Sequence, residues 1–169
     1  MLIMRLTLIL FLFTGLAQAK PEYWNQFRGP NGDGDAGGAK LPTEFSEKKN
    51  LTWKSPMPGK AWSSPVVRDG RVWVTNAKED GKEMWAIQLD WATGEELRKV
   101  LVFKNDEPQF CHPMNSYATP TPVIEGGRVF VHFGSHGTAA LDAATGKKIW
   151  ERRDFKCDHW RGARPPPSR

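Results

Sequence analysis

Residues 140–150 read ALDAATGKKIW. Asp142 can accept hydrogen bonds from backbone N–H groups two or three residues on, and Gly146 can take the positive φ of a tight hairpin. The stretch therefore predicts a strand, a turn set by Asp142, Thr145 and Gly146, and a second strand. No ligand is needed to explain the aspartate or the glycine. Ala140 is small and Trp150 large, so an indole from one sheet can lie against a small residue of its neighbour. Such burial is worth roughly a few kcal/mol.

The turn is repeated. Asp90-Trp91-Ala92-Thr93-Gly94 precedes Asp142-Ala143-Ala144-Thr145-Gly146 by 52 residues. Gly70-Arg71-Val72-Trp73-Val74 precedes Gly127-Arg128-Val129-Phe130-Val131 by 57, and Trp62-Ser63-Ser64-Pro65 precedes Tyr117-Ala118-Thr119-Pro120 by 55. Short β-rich runs between Asp-Gly, Gly-Gly and Thr-Gly pairs favour hairpins, and no segment beyond the N-terminal leader sustains a 3.6-residue period. Two units of four short strands at this spacing are the mark of β-propeller blades.

The expected strands of the first unit are 64–67, 71–75, 84–90 and 95–103. Those of the second are 121–124, 128–133, 138–142 and 147–152. Asn50-Leu51-Thr52-Trp53-Lys54 reads as a last strand without its own blade, as where an N-terminal strand closes a ring. The fold class is thus all-β: about two four-stranded antiparallel blades plus a closing strand, in an incomplete ring. The domains follow as a signal peptide (1–19), an extended N-terminal segment (20–49), a partial propeller (50–162, with blades at 62–103 and 117–153) and an irregular tail (163–169).

The leader has Arg5, an apolar run from Leu6 to Leu16 and Ala17-Gln18-Ala19, the layout of a secretory signal peptide. The run is too short to span a bilayer, and no cysteine follows the cleavage point. A periplasmic or extracellular protein with no transmembrane or lipid anchor is expected. The net charge of +5 resides in residues 147–169; residues 20–146 carry −1. No aromatic-plus-basic platform recurs, so nucleic acid is set aside as a partner. Export permits a disulfide between Cys111 and Cys157, and their neighbouring histidines match none of the usual zinc spacings, so no metal is expected.

The stretch 140–150 resembles the tryptophan-docking repeat of pyrroloquinoline-quinone (PQQ) type β-propellers at Ala140, Asp142, Thr145, Gly146 and Trp150. The first blade keeps Asp90, Thr93 and Gly94 but has Arg98 in the docking position, with Trp85 or Trp91 as substitutes. Tyr23-Trp24-Asn25-Gln26-Phe27-Arg28-Gly29-Pro30-Asn31-Gly32-Asp33-Gly34 resembles the opening of exported bacterial PQQ-like repeat proteins. Its bare reading is an extended, Gly-rich loop anchored by Trp24 and Phe27.

The resemblance implies three descendants: a quinoprotein dehydrogenase holding PQQ and calcium, an assembly factor of envelope proteins, or an exported propeller whose loops bind a protein or glycan. The dehydrogenases stack PQQ on a disulfide of adjacent cysteines, which this sequence lacks. PQQ with calcium is therefore an expectation for a full-length relative and not for this chain. Rings need about four to eight blades. Two blades, with Pro165-Pro166-Pro167 where a third should begin, give the expectation of a truncated chain, against the alternative of a small β protein completed by association of copies.

No serine, histidine and acid arrangement, phosphate loop or spaced carboxylate pair stands out, so no catalytic residue is assigned. The candidate surface is the rim of loops joining the last strand of one blade to the first of the next. Its candidate ligand residues are Trp62, His112, Asn115, Tyr117, Asp158, His159 and Arg161. His132 is expected to be a satisfied sheet residue.

Overall fold

A computed structural model describes residues 23–155. The expected signal peptide, Cys157, Asp158, His159 and Arg161 lie outside the described residues. Two four-stranded antiparallel sheets make up the fold: β1 (Val66–Arg68), β2 (Arg71–Ala77), β3 (Glu83–Asp90) and β4 (Glu96–Lys104), then β5 (Val123–Glu125), β6 (Arg128–His132), β7 (Thr138–Asp142) and β8 (Lys148–Arg152). Each sheet runs in sequence order, as a meander. Among the described residues there is no α-helix, and the two sheets do not close into a ring.

The hairpins follow the turn chemistry. Asp69 and Gly70 between β1 and β2, and Gly126 and Gly127 between β5 and β6, all have positive φ, as a two-residue hairpin of matching twist requires. In the wider turns, Asp90 Oδ1 accepts from the N–H groups of Ala92 (2.9 Å) and Thr93 (3.1 Å). Asp142 Oδ1 does the same for Ala144 (3.1 Å) and Thr145 (2.7 Å). Both carboxyls are held below the ordinary aspartate range. The Ala92 N–H is the largest cause for Asp90, and the Thr145 hydroxyl is the largest for Asp142.

The core lies between the sheets. Trp73, Ala77, Met84, Ala86 and Phe103 from the first blade meet Ile124, Val129, Val131, Phe133 and Leu141 from the second. The Phe103 and Phe133 rings cross edge to face at 5.8 Å, a geometry worth about 1 kcal/mol beyond burial. Buried polar groups cross the same interface: Thr75 Oγ1 donates to Pro120 O (3.2 Å) and Gln88 Nε2 to Ala143 O (3.0 Å).

Residues 50–54 pair with neither of the two described sheets. Instead Trp53 lies on the turn of the first blade, its indole N–H bonded to Trp91 O (2.8 Å) and its ring against Gly94. Neither Trp85 nor Trp91 replaces the missing docking tryptophan. Trp85 is buried on the opposite face of the sheet with Val72, Ile87 and Leu89, and Trp91 is half-exposed. Arg98 itself takes the seat: a methyl group on Gly146 would stand 3.1 Å from Arg98 Cδ. Finally, residues 26–34 form a compact loop, closed by Gly29 N–H to Gln26 O (3.0 Å) and Gly34 N–H to Arg28 O (2.9 Å). Trp24 anchors this loop; Phe27 is exposed, with the Arg28 guanidinium 5.6 Å from its ring centroid.

Trp150 pairs with Ala140 in register and meets Phe130 of its own sheet at 6.2 Å. It is 38% exposed.

Candidate functional site

The loops 58–65, 78–82, 105–122 and 133–137 emerge at one end of the two sheets. Antiparallel meanders force this: the loop entering each blade and the turn between its second and third strands share an end. Trp62, His112, Asn115 and Tyr117 all fall on this rim.

The long loop is held by its own polar side chains. Asn115 Oδ1 accepts from Ser116 N (2.8 Å) and from the Thr119 hydroxyl (2.8 Å). Ser116 Oγ donates to Lys60 O (3.2 Å), tying the loop to the segment entering the first blade. Tyr117 donates its hydroxyl proton to Gln109 O (2.6 Å), lies against Gly81, and meets the His136 ring edge to face at 5.5 Å. His112 Nδ1 accepts from Met114 N (3.1 Å) and so shapes the tip of the loop.

The candidate residues therefore divide. Asn115 and Tyr117 are spent on holding the loop, whereas Trp62 and His112 are open to solvent. Tyr117 is half-buried, and that burial pushes its hydroxyl up. Burial also raises the Cys111 thiol, with Lys60 opposing, so Cys111 is kept as a thiol. His136 is pushed down by burial and then by Arg153, which favours the neutral ring beside Tyr117. His132 is satisfied by Thr138 Oγ1 at 2.8 Å.

Sequence reasoning missed the exposed apolar members of the rim. Phe110 is 51% exposed and Met114 80%, beside Trp62 at 49%. Their signal was present, since two large apolar residues in a polar loop need a reason. A cavity on this rim has about 80 Å³ and is lined by Lys60, Cys111, His112, Asn115 and Tyr117, among others. That is well below the roughly 300 Å³ at which small-molecule pockets begin.

Among the described residues no three His, Cys, Asp or Glu side chains gather where they could hold a metal ion. The neighbouring first strands, β1 and β5, are also occupied along their edges. Trp24 exchanges both backbone bonds with Val67 (2.7 and 2.8 Å), and Asn25 O accepts from Ile124 N (2.8 Å).

A repeat of this docking type on two four-stranded meanders decides the family. The family model described as outer membrane protein assembly factor BamB, built on PQQ-type repeats, matches residues 43–154. The chain belongs to this PQQ-repeat family. None of the curated proteins compared with the chain matches it. The matched span begins before Trp53 and ends just beyond β8, so it takes in both sheets and both docking turns. No helix among the described residues is long and apolar enough to cross a membrane.

Proposed function

We propose that this PQQ-repeat chain is a binding module of the cell envelope that grips a protein partner through its loop rim, without chemistry of its own. One observation carries the reading: Trp62, Phe110 and Met114 are exposed on loops whose backbone is fixed by Asn115, Ser116 and Tyr117. Fixed loops lose little entropy on binding, and exposed Trp, Phe and Met are the residue types that protein interfaces enrich. Met adds an adaptable surface suited to more than one partner sequence. The family's description as an assembly factor for outer membrane proteins supports an envelope protein as the partner.

A photo-crosslinking amino acid at Met114 tests this in the native cells. The expected result is a discrete adduct with an envelope protein, lost when Trp62→Ser and Phe110→Ser are introduced. The same label at Glu125, at the opposite end of the second sheet, should give none. Equal labelling at both positions, or dye reduction by the purified chain on addition of PQQ and calcium, would overturn the proposal.

A further inference from the structure

The opposite end of the first blade carries a second site. The N-terminal segment folds back onto the turns at Gly70 and Trp91 and encloses a cleft of about 820 Å³. Tyr23, Trp24 and Trp91 supply its apolar walls, and Asn31 and Asp35 its polar edge. We infer that this cleft binds a neutral oligosaccharide, with one sugar ring lying against Trp91.

The walls are fixed before any ligand arrives. Trp24 is held by its two backbone bonds to Val67, and its ring lies on Gly29, where an added methyl group would stand 2.7 Å away. Trp91 donates its backbone N–H to Gly70 O (3.1 Å) and accepts the Trp53 indole N–H at 2.8 Å. The Trp91 side chain nevertheless remains 49% exposed. Its main chain is pinned from two sides while its ring faces the cleft.

The polar complement selects the ligand class. Among the described residues, the Trp91 indole N–H and the Asn31 amide make no hydrogen bond. Asp35 uses one oxygen to cap Gly37 N (2.7 Å) and leaves the other free. A purely apolar ligand would bury these groups unsatisfied, at a cost of about 1–3 kcal/mol each. A cation, which the aromatic walls and the Asp35 carboxylate also attract, would offer no acceptor to the N–H donors of the Trp91 indole and the Asn31 amide. A sugar with equatorial hydroxyls satisfies both demands. Its C–H groups face the negative π surface, and its hydroxyls can both donate and accept at the rim.

Cellotetraose is the probe, read in NMR spectra of the whole chain by the Trp91 indole resonance and, in every variant, by the backbone amide resonances of Gly37, Gly38 and Gly70, which line the cleft. A saturable shift with a Kd on the order of 1 mM is expected, because solvated hydroxyls leave little surplus affinity. Trp91→Ala and Asn31→Ala should each weaken binding at least about tenfold. Trp62→Ala, at the other end of the blade, should leave it unchanged, so this site and the protein-binding rim stand or fall separately. No shift at about ten times the expected Kd would overturn the inference. So would binding that survives Trp91→Ala in a variant whose spectrum remains dispersed, or saturation by choline in place of the sugar.

Discussion

The two blades carry the same Asp-x-x-Thr-Gly turn but seat different residues on its glycine. On Gly94 lies the indole of Trp53, whose N–H also bonds the turn at Trp91 O. On Gly146 lies the aliphatic stem of Arg98, whose guanidinium reaches Gln88 Oε1. One seat is a flat apolar contact with a single polar pin. The other is a flexible chain tied into a buried polar relay, because Gln88 in turn donates to Ala143 O of the next blade. The turn therefore specifies that something large must cover its glycine, and leaves open what.

A methyl group on each glycine separates the two seats most strongly. Both have φ near +74° (73 and 74), so Ala costs about 1–2 kcal/mol in backbone strain at either site. At Gly94 the new Cβ would also stand 2.5 Å from the rigid Trp53 ring, whereas at Gly146 it would meet Arg98 Cδ and Val100 Cγ2, each at 3.1 Å. Gly94→Ala should lose about 3–4 kcal/mol and Gly146→Ala about 1–2, since the contacts at Gly146 need give far less than the overlap with the Trp53 ring. Chemical denaturation of the two variants measures the difference. Equal losses would mean that the Trp53 seat is not rigid.

Arg98→Ala probes the relay. Gln88 is 1% exposed, and without Arg98 its Oε1 is left buried and unbonded. A loss of about 2 kcal/mol is expected by the same denaturation assay, and Arg98→Ala with Gln88→Leu should recover part of it. A double variant no more stable than the single would show that the aliphatic stem of Arg98, and not its hydrogen bond, holds the seat.

Much of the fold could be read from residues near one another in the chain. Asp69-Gly70 and Gly126-Gly127 mark hairpins locally, and the alternation in β2 and β6 locates strands to within two residues at their ends. Arg98 as the docking residue was visible as a departure from pattern, but its mode of packing was not. That mode depends on Gln88 and on a turn one blade away. The segment 50–54 has the composition of a strand, but nothing local in it shows that Trp53 lies against Gly94.

The rim was legible only in outline. The repeat located its loops, so Trp62, His112, Asn115 and Tyr117 could be named. Which of them the loop consumes for its own structure depends on contacts such as Tyr117 with Gly81 and His136, which join separate turns in space. The cleft was not legible, since nothing local in Tyr23 or Asn31 says that the N-terminus returns to Trp91.

The smallest expected effect separates the two aspartates. Both accept turn N–H groups, but Asp90 also accepts a guanidinium bond from Arg71 at 2.8 Å, whereas Asp142 has no ion pair that near among the described residues. Both folded-state carboxyls titrate below the ordinary aspartate value. Their contribution is therefore complete above the unfolded-chain pKa, near about 4, and is lost as pH falls through the lower folded value. Asp142→Asn and Asp90→Asn should each lower the melting temperature slightly at neutral pH and flatten its decline on acidification. Salt distinguishes them, because an exposed ion pair is screened while a turn capped by N–H groups depends less on ionic strength. Added salt should narrow the gap between the parent chain and Asp90→Asn and leave that for Asp142→Asn nearly unchanged. Identical salt responses would place the whole effect of Asp90 in its turn and none in Arg71, which would make the two turns electrostatically equivalent despite their different seats.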